Sequence, residues 1–374
     1  MRTPQDACPP RLARVARAKG PPLAQVLCAW FGREARDLPF RATRDPYRIW
    51  LAEVILQQTR MEAGLAYYER FVRAFPTVRA LAAASEEQVL KLWEGLGYYN
   101  RARNLQAAAR QVAASNGGRL PRTAAAWRRL PGVGPYTAGA VASIAFGEPV
   151  PAVDGNVKRV LARLFAVDAP LGTARADRAF WALAARLVPE DDPGAWNQAL
   201  MELGARVCTP RSPGCAQCPA SRLCRAKRTR RVDRLPVVAA RRATPHRTVV
   251  AAAIRRRGRY LVGKRRPGGM LAGLWEFPGS TVTDGDAHEH ALAHIVRETT
   301  ALNVNVREAL GAVDHAYTHF RITLHLYACD EVRGRARSDH YDRLRWVAPR
   351  ELDDLALPAS DRRLVGALPE LRAD

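Results

Sequence analysis

Apolar residues recur at three- and four-residue spacing through most of positions 23–235, which is the period of an amphipathic α-helix. Short breaks rich in glycine, proline or asparagine interrupt this pattern. The pattern predicts helices over 23–31, 47–75, 86–96, 101–114, 123–130, 136–146, 157–165, 175–187 and 196–207. We therefore expect the first part of the chain to be almost entirely helical.

The pattern changes after position 247. Strand-like stretches at 248–254 and 259–264 flank Arg257-Gly258 as in a β-hairpin, a helical period covers 289–302, and 319–329 is again strand-like. An α+β domain is predicted here. The full expected organisation is a disordered basic tail, a helical domain, a basic linker of low periodicity and the α+β domain, with bounds 1–22, 23–224, 225–247 and 248–374.

Composition fits a protein of two or three globular domains, because 48% of the 374 residues are hydrophobic and 25% are charged. No apolar run reaches the roughly 18 residues of a membrane-spanning helix. The first 22 residues lack the apolar centre of a secretory signal, and their prolines argue against an amphipathic transit peptide. We expect a cytoplasmic protein, associated with the nucleoid if the source is bacterial, and no membrane partner.

The net charge of +23 predicts a polyanionic partner. Residues 1–240 carry 37 basic and 19 acidic side chains, a balance of +18, whereas residues 241–374 carry 22 and 17, a balance of +5. Arginine accounts for 54 of the 59 basic residues, which also indicates a compositional bias. The uneven distribution favours nucleic acid. All eight histidines lie at or after His246, so a site in the helical part must work without imidazole.

Four of the seven cysteines, Cys208, Cys215, Cys218 and Cys224, have the spacing C-x6-C-x2-C-x5-C. Four thiolates within seventeen residues suit either a tetrahedral zinc ion or an iron–sulfur cluster. An odd number of cysteines with a single tight cluster is typical of a reduced intracellular protein with a metal centre.

Two acidic residues are candidates for catalysis. Glu53 has Ile49, Trp50 and Leu56 as its helical neighbours, and desolvation on such a face would raise its pKa as a general acid requires. A glutamate at the edge of a helix, reaching water, explains the pattern equally well. Asp154 precedes a predicted helix, where it is either an N-cap or an ionised stabiliser of a cation. From the residues alone the cap interpretation is the stronger.

Four segments, LAEVILQQT (51–59), GLGYYNRARNL (95–105), LPGVGPYTAGA (130–140) and VDGNVKRVLARL (153–164), together with the cysteine spacing, resemble the signatures of MutY-type adenine DNA glycosylases. The likeness runs from about residue 23 to the cysteines and more weakly to the C-terminus. It implies a multidomain fold: an all-α helix-hairpin-helix DNA glycosylase with an iron–sulfur cluster loop, then a smaller α+β Nudix-like domain. It also implies a 4Fe–4S cluster on the four cysteines, which we interpret as structural and DNA-positioning.

The resemblance assigns catalytic roles. Glu53 would protonate adenine N7 and later help water to attack, Asp154 would stabilise the sugar cation, Asn156 would support the site, and Tyr136 would hydrogen-bond the carboxylates. Members of the superfamily that also cut the strand carry a lysine at the position of Tyr136, so a monofunctional enzyme is expected.

The target base must leave the duplex, and the resemblance also assigns the contacts that accompany this step. Gln58 and Tyr98 would insert beside the opposite base, and Thr59 and Leu96 would touch it. Arg41 and Gln198 would line the adenine pocket, and Gly132 and Gly134 would place backbone N–H groups at a phosphate. Without the resemblance, the glycines also fit an ordinary helix–turn–helix connection, and Tyr98 or Tyr99 could be a core aromatic.

The second domain resembles a Nudix domain with an incomplete catalytic box, because Ala301 and Leu302 stand where two metal-binding glutamates belong. We expect recognition of 8-oxoguanine opposite the adenine, by Thr318 and His319, rather than pyrophosphate hydrolysis. His319 could equally be a plain strand histidine. The group His288, His290 and His294 is interpreted as a solvated helix face.

The favoured hypothesis is a base-excision repair enzyme, monomeric and acting on duplex DNA that contains A:8-oxoguanine or A:G. One alternative is a related glycosylase that removes another mispaired base, such as thymine; Glu53 and the second domain argue against it. A second alternative is a lesion-binding protein without activity, against which the intact pair of Glu53 and Asp154 argues.

Overall fold

The computed structural model describes residues 8–238, 244–283, 285 and 287–371. The chain divides into two compact units: Met1–Ala82 with Ala107–Arg241, and Ala83–Gln106 with Arg242–Asp374. The α-helices of the first 238 residues are, in order, α1 (Pro10–Glu34), α2 (Pro46–Ile55), α3 (Met61–Ala74), α4 (Val78–Ala83), α5 (Glu86–Trp93), α6 (Asn100–Ala114), α7 (Ala124–Trp127), α8 (Pro135–Phe146), α9 (Gly155–Phe165), α10 (Ala174–Ala185), α11 (Pro193–Arg206) and α12 (Arg225–Arg228). The prediction of a helical first part is confirmed.

Helix α1 corrects the expected disordered tail, because it begins at Pro10 rather than near position 23. Its residues Ala16, Leu23 and Leu27 are fully buried against the core of the first unit. Burial of this stripe outweighs the helix-breaking tendency of two interior prolines, about 3 kcal/mol each in isolated helices. The part of the expected tail before residue 8 lies outside the described residues.

The predicted helix over 47–75 is two helices, α2 and α3, separated at residues 56–60. Gln58 lies in this break with φ of 57°, a left-handed conformation that few side chains adopt. A period of 3.6 continues across the break, so the apolar pattern alone could not reveal it.

Helix α8 and the segment before α9 approach closely enough to require a glycine. A Cβ on Gly139 would lie 2.1 Å from the carbonyl oxygen of Pro151. The side chain of Asn197 fixes the same segment, accepting from Ala152 N at 3.1 Å and donating to Val150 O at 2.9 Å. These contacts set the position of the N-terminus of α9, where Asp154 lies.

The second unit is built around a mixed seven-stranded sheet, which confirms the predicted α+β domain. Helices α13 (His288–Thr300) and α14 (Ala359–Val365) accompany strands β1 (His246–Arg256), β2 (Arg259–Arg265), β3 (Trp275–Glu276), β4 (Gly279–Val282), β5 (Asn303–Ala316), β6 (Arg321–Arg333) and β7 (Tyr341–Val347). The order is β3-β2-β1-β6-β5, with β4 paired to β1 and β7 to β2. The predicted hairpin is present: Arg256 pairs with Arg259 across a turn in which Arg257 and Gly258 both have positive φ.

Residues 83–106 belong to the second unit, which differs from the predicted domain bounds. Within that unit, Lys264 Nζ lies 2.7 Å from Glu87 Oε1, and Arg362 Nε lies 2.6 Å from Glu94 Oε1. The hydroxyl of Tyr99 donates to Leu357 O at 3.3 Å, and its side chain is buried. Helical periodicity could not predict this assignment, because it depends on partners more than 170 residues away.

Candidate active site and cysteine loop

Glu53 lies in the last turns of α2, a helix capped by Asp45 and buried along most of its length. The hydroxyl of Tyr136, on α8, donates to Glu53 Oε2 at 2.6 Å and lies 3.2 Å from Met201 Sδ. Burial raises the pKa of Glu53 to about 7, against the opposing effect of the Tyr136 hydrogen bond. Glu53 is therefore partly protonated at neutral pH and can act as an acid.

Asp154 is the N-cap of α9, with its side chain accepting from Val157 N at 2.7 Å. The amide of Asn156 donates to the other carboxylate oxygen of Asp154 at 2.9 Å. Burial raises the pKa of Asp154, and these donors oppose that rise. The negative charge of Asp154 also raises the pKa of Glu53, so both carboxylates belong to one site. The cap role and a role in catalysis are thus compatible.

Arg159 connects this site to the cysteine loop. Its guanidinium donates to Asn156 Oδ1 at 2.7 Å, to Gly204 O at 2.8 Å and, through Nε, to Cys208 O at 2.8 Å. The bond from Arg159 holds the amide oxygen of Asn156 away from Asp154 and leaves the NH₂ group facing it. Arg159 was not among the predicted site residues, and its one local signal in the sequence is its spacing of one turn from Asn156.

Glu202, on α11, is a second functional residue that the sequence analysis missed. Its side chain is fully buried and accepts from Arg36 Nε at 2.8 Å, Arg36 Nη2 at 2.7 Å and Arg41 Nη2 at 2.8 Å. Burial raises the pKa of Glu202, but the two arginines outweigh that effect and bring it to about 2. The ionised carboxylate of Glu202 therefore fixes the position of Arg41. The positive charge of Arg41 in turn lowers the pKa of Glu53.

The remaining predicted residues of the first unit are less closely involved with the carboxylates. The Gln198 amide donates to Gly194 O within α11 at 3.3 Å, and the Thr59 hydroxyl donates to Gln57 O. Gln57, which lies in the LAEVILQQT segment, donates to the Thr137 hydroxyl at 2.9 Å and so joins the end of α2 to α8. In the hairpin, Gly132 has φ of 70° and Gly134 caps α8, with open space where its Cβ would stand.

The four predicted cysteine ligands line a single narrow cavity, shared with apolar residues such as Val160, Leu164 and Leu203. Burial, with a smaller contribution from the other three thiols, raises the pKa of Cys218 to about 11. Arg163 Nη1 donates to Cys208 Sγ at 3.4 Å and to Thr209 O at 2.7 Å. The four sulfur atoms could together ligate a metal ion or a cluster, and the Arg163 guanidinium could stabilise their negative charge.

A single zinc ion would require its four sulfur ligands to lie about 3.8 Å apart, from a Zn–S bond of 2.3 Å. Among the described residues, no group of three or more His, Cys, Asp and Glu side chains is spaced to hold one metal ion. All four thiols line one cavity, so they can ligate one shared group.

In the second unit, the hydroxyls of Tyr98 and Thr318 lie 2.8 Å apart. Both residues line a groove of about 570 Å³, together with Leu96 and His319. Tyr98 is 47% exposed and has φ of 49°, whereas Tyr99 is the core aromatic. His319 lies in the loop between β5 and β6, not in a strand, because β6 begins at Arg321.

The histidines of α13 correct the expectation of a solvated face in part. His290 and His294 are exposed, but His288 is partly buried, with Nδ1 2.8 Å from the Tyr327 hydroxyl and its ring against that of His325. Ala301 ends α13 in a left-handed conformation, and Leu302 is buried. The positions of the two missing Nudix carboxylates are therefore a helix end and a core residue.

Comparison with known proteins identifies both parts. Residues 51–186 match the HhH-GPD superfamily of base excision DNA repair proteins, and residues 249–367 match the NUDIX domain. A thermostable thymine-DNA glycosylase of known structure is 32% identical, with a TM-score of 0.50, over 57% of this chain and 98% of that one. Fold and site together define a base-excision DNA glycosylase with an appended Nudix-like domain.

Curated relatives narrow this class. The mouse protein named adenine DNA glycosylase is 37% identical over 81% of this chain and 69% of its own length. The rat protein of the same name is 35% identical over 92% and 78%, respectively. The chain belongs to the adenine DNA glycosylase family. None of its described helices combines the length and the apolarity that a membrane crossing needs.

Proposed function

We propose that the protein excises adenine paired with 8-oxoguanine or guanine in duplex DNA, as a monofunctional glycosylase. The observation that carries this proposal is the pair of partly buried carboxyls in unequal environments. Glu53 has a pKa of about 7 and faces a phenol, whereas Asp154 receives two N–H donors that favour its anion. Such inequality is what separates an acid from an electrostatic stabiliser.

In the proposed reaction, protonated Glu53 transfers its proton to N7 of the everted adenine. The bond between N9 and C1′ then breaks, its electron pair leaves with the neutral base, and positive charge develops on the deoxyribose. The carboxylate of Asp154 stabilises that charge. Glu53, now ionised, accepts a proton from the water that attacks C1′. The products are adenine and an abasic site, and Glu53 regains its proton.

A strand-cutting step would need an amine to form a Schiff base with the sugar. Tyr136 takes the place at the start of α8 where such a lysine would stand, and it donates to Glu53 instead. Lys91 and Lys158 are paired with Glu94 and Asp177 and belong to other helices. These contacts support a reaction that stops at the abasic site.

The cysteine loop is proposed to hold a 4Fe–4S cluster on Cys208, Cys215, Cys218 and Cys224. When bound, such a cluster would cross-link the segment after α11, and its net negative charge would sit beside the buried guanidinium of Arg163. Analysis of iron and acid-labile sulfide in the purified protein tests this. Stoichiometric zinc with no sulfide would contradict it.

The groove around Tyr98 and Thr318 is proposed to read the base opposite the adenine. Its hydroxyl pair offers a donor and acceptors to the edge of 8-oxoguanine, and the net charge of the protein suits a duplex. Ala301 and Leu302 replace two metal-binding glutamates of the Nudix box, which argues against pyrophosphate hydrolysis by this unit.

Single-turnover excision on duplexes with A:8-oxoguanine, A:G, T:G or A:T tests the proposal, with and without alkali treatment. We expect excision from the first two only, and strand breaks only after alkali. Breaks before alkali contradict the monofunctional reaction. Removal of thymine from T:G would favour the second candidate, which is motivated by the structural likeness to a thymine-DNA glycosylase. Glu53→Gln should abolish excision while binding of the A:8-oxoguanine duplex survives.

A further inference from the structure

Leu271 is an apolar residue held in a backbone conformation that favours glycine. Its φ is 59°, within a loop that already uses glycine at Gly268 and Gly273, where φ is 92° and 73°. The loop is well anchored: Arg265 Nε donates to Met270 O at 3.1 Å, and Leu274 N donates to Leu271 O at 3.2 Å. Ala272 N also donates to Gly269 O at 3.4 Å, so Leu271 is the third residue of a β-turn, a position that commonly takes glycine.

The side chains of Met270 and Leu271 line the same groove as Tyr98, Thr318 and His319. Leu271 is only partly buried, and Met270 is 48% exposed, one of the most exposed large apolar residues in the described part of the chain. The groove therefore has a polar wall, which carries the two bonded hydroxyls, and an apolar wall contributed by this loop.

Strained side chains recur at the predicted DNA contacts. Among the described residues other than glycine, positive φ occurs at Gln58, Tyr98, Ala166, Ser212, Arg230, Arg257, Leu271 and Ala301. Ala166 and Ala301 end helices, Arg230 lies in the turn that closes α12, and Arg257 forms a hairpin turn, so local structure explains these four. Ser212 lies in the cysteine loop, in the first unit. Gln58 and Tyr98 are the two residues predicted to insert beside the opposite base. Leu271 shares their conformation and the groove of Tyr98.

We propose that Met270 and Leu271 form an apolar contact surface for the nucleotide opposite the excised adenine, packing against the face of its base and its deoxyribose. This inference rests on the proposed function and extends it to a specificity-determining loop. Apolar side chains against a base and its deoxyribose add contact area where the adenine has left the stack, but they do not read the 8-oxo group. The edge contacts remain with Thr318 and Tyr98.

The test uses the full-length protein with Leu271→Gly, which removes the side chain and relieves the backbone strain together. Equilibrium binding is measured by fluorescence anisotropy on duplexes in which 2′-fluoroadenosine, resistant to cleavage, faces 8-oxoguanine or guanine, and on an A:T duplex. We expect affinity for both mispaired duplexes to fall about five- to tenfold, and affinity for A:T to change less than twofold. The midpoint of thermal unfolding should stay the same or rise. Met270→Ala should cause a smaller loss of the same kind.

Ala301→Gly is the matched control, because it relieves the same strain in the same unit without lining the groove. It should raise thermal stability and leave binding unchanged. Three results overturn the proposal: unchanged mispair binding in Leu271→Gly, an equal loss on all three duplexes, or a lowered unfolding midpoint, which would make Leu271 a packing residue. Failure of the proposed function gives a different result. If the wild-type protein binds these duplexes but excises no adenine, the duplex affinities of the variants can still be compared with that of the wild-type protein.

Discussion

The hydroxyl of Tyr136 donates a 2.6 Å hydrogen bond to Oε2 of Glu53, the carboxyl whose pKa lies near 7. This bond favours the ionised form of Glu53, so it limits how far burial can raise the pKa. A tyrosine at this position therefore sets the pH range in which Glu53 is an acid.

The rate of adenine excision should fall as pH rises above about 7, because the acid form of Glu53 disappears there. In Tyr136→Phe the pKa of Glu53 should rise, so the alkaline limb of the profile moves to higher pH while the maximal rate falls about tenfold. Single-turnover rates between pH 5 and about 9.5 measure both effects. A profile with an unmoved alkaline limb would show that this bond does not control the acid.

Arg159→Gln should lower the excision rate by about 10- to 100-fold with little change in duplex affinity, because Asn156 loses the donor that orients its amide toward Asp154. Arg159→Lys should recover only part of the rate, since one ammonium cannot span Asn156 Oδ1, Gly204 O and Cys208 O. Rates, dissociation constants and iron content are measured together. If the excision rate falls only in proportion to the loss of bound iron, Arg159 stabilises the cysteine loop and does not orient Asn156.

Tyr98→Phe and Thr318→Val each remove one hydroxyl of the 2.8 Å pair. Each should reduce the preference for A:8-oxoguanine over A:G by about three- to tenfold, and the double variant should lose little more than either single one. The ratio of single-turnover efficiencies on the two duplexes measures this. Tyr99→Phe, which leaves Tyr98 and Thr318 in place, is the control. Simple multiplication of the two single effects would mean that the hydroxyls act independently.

Glu202→Gln should reduce the free energy of unfolding by about 3 kcal/mol near neutral pH, because Arg36 and Arg41 lose a fully buried counter-charge. The pKa of Glu202 in the folded protein, about 2, lies below its usual value of 4.5. Its contribution is therefore present above about pH 4.5 and is lost as pH falls toward 2. Denaturant unfolding at pH 7 and pH 3 checks both the size and the trend. Asp177→Asn, in a pair exposed to solvent, should cost less than about 1 kcal/mol.

Local patterns allowed much of this protein to be predicted from its sequence. Periods of 3.6 and of two residues located the helical part and the hairpin, because each element shows its buried face in its own residues. The residue types and spacing singled out Glu53, Asp154 and the four cysteines as candidates. Their roles followed only from the family resemblance, because the residues alone fit a helix-edge glutamate, an N-cap, and either zinc or an iron–sulfur cluster. The backbone conformations of Gln58 and Leu271 could not be predicted, because glycine is the usual sequence signal of a positive φ and neither residue is glycine.

Only the tertiary structure decided which distant residues meet. The ion pair of Arg41 with Glu202 joins positions 161 residues apart, and the Arg159 bond to the carbonyl of Cys208 spans 49. The burial of α1 overrode the local preference of its prolines, and the contacts of residues 83–106 placed them with the sheet of the second unit. The reason is common to all of these: charge pairing and burial act through space, and their free energy depends on partners that no local window of sequence contains.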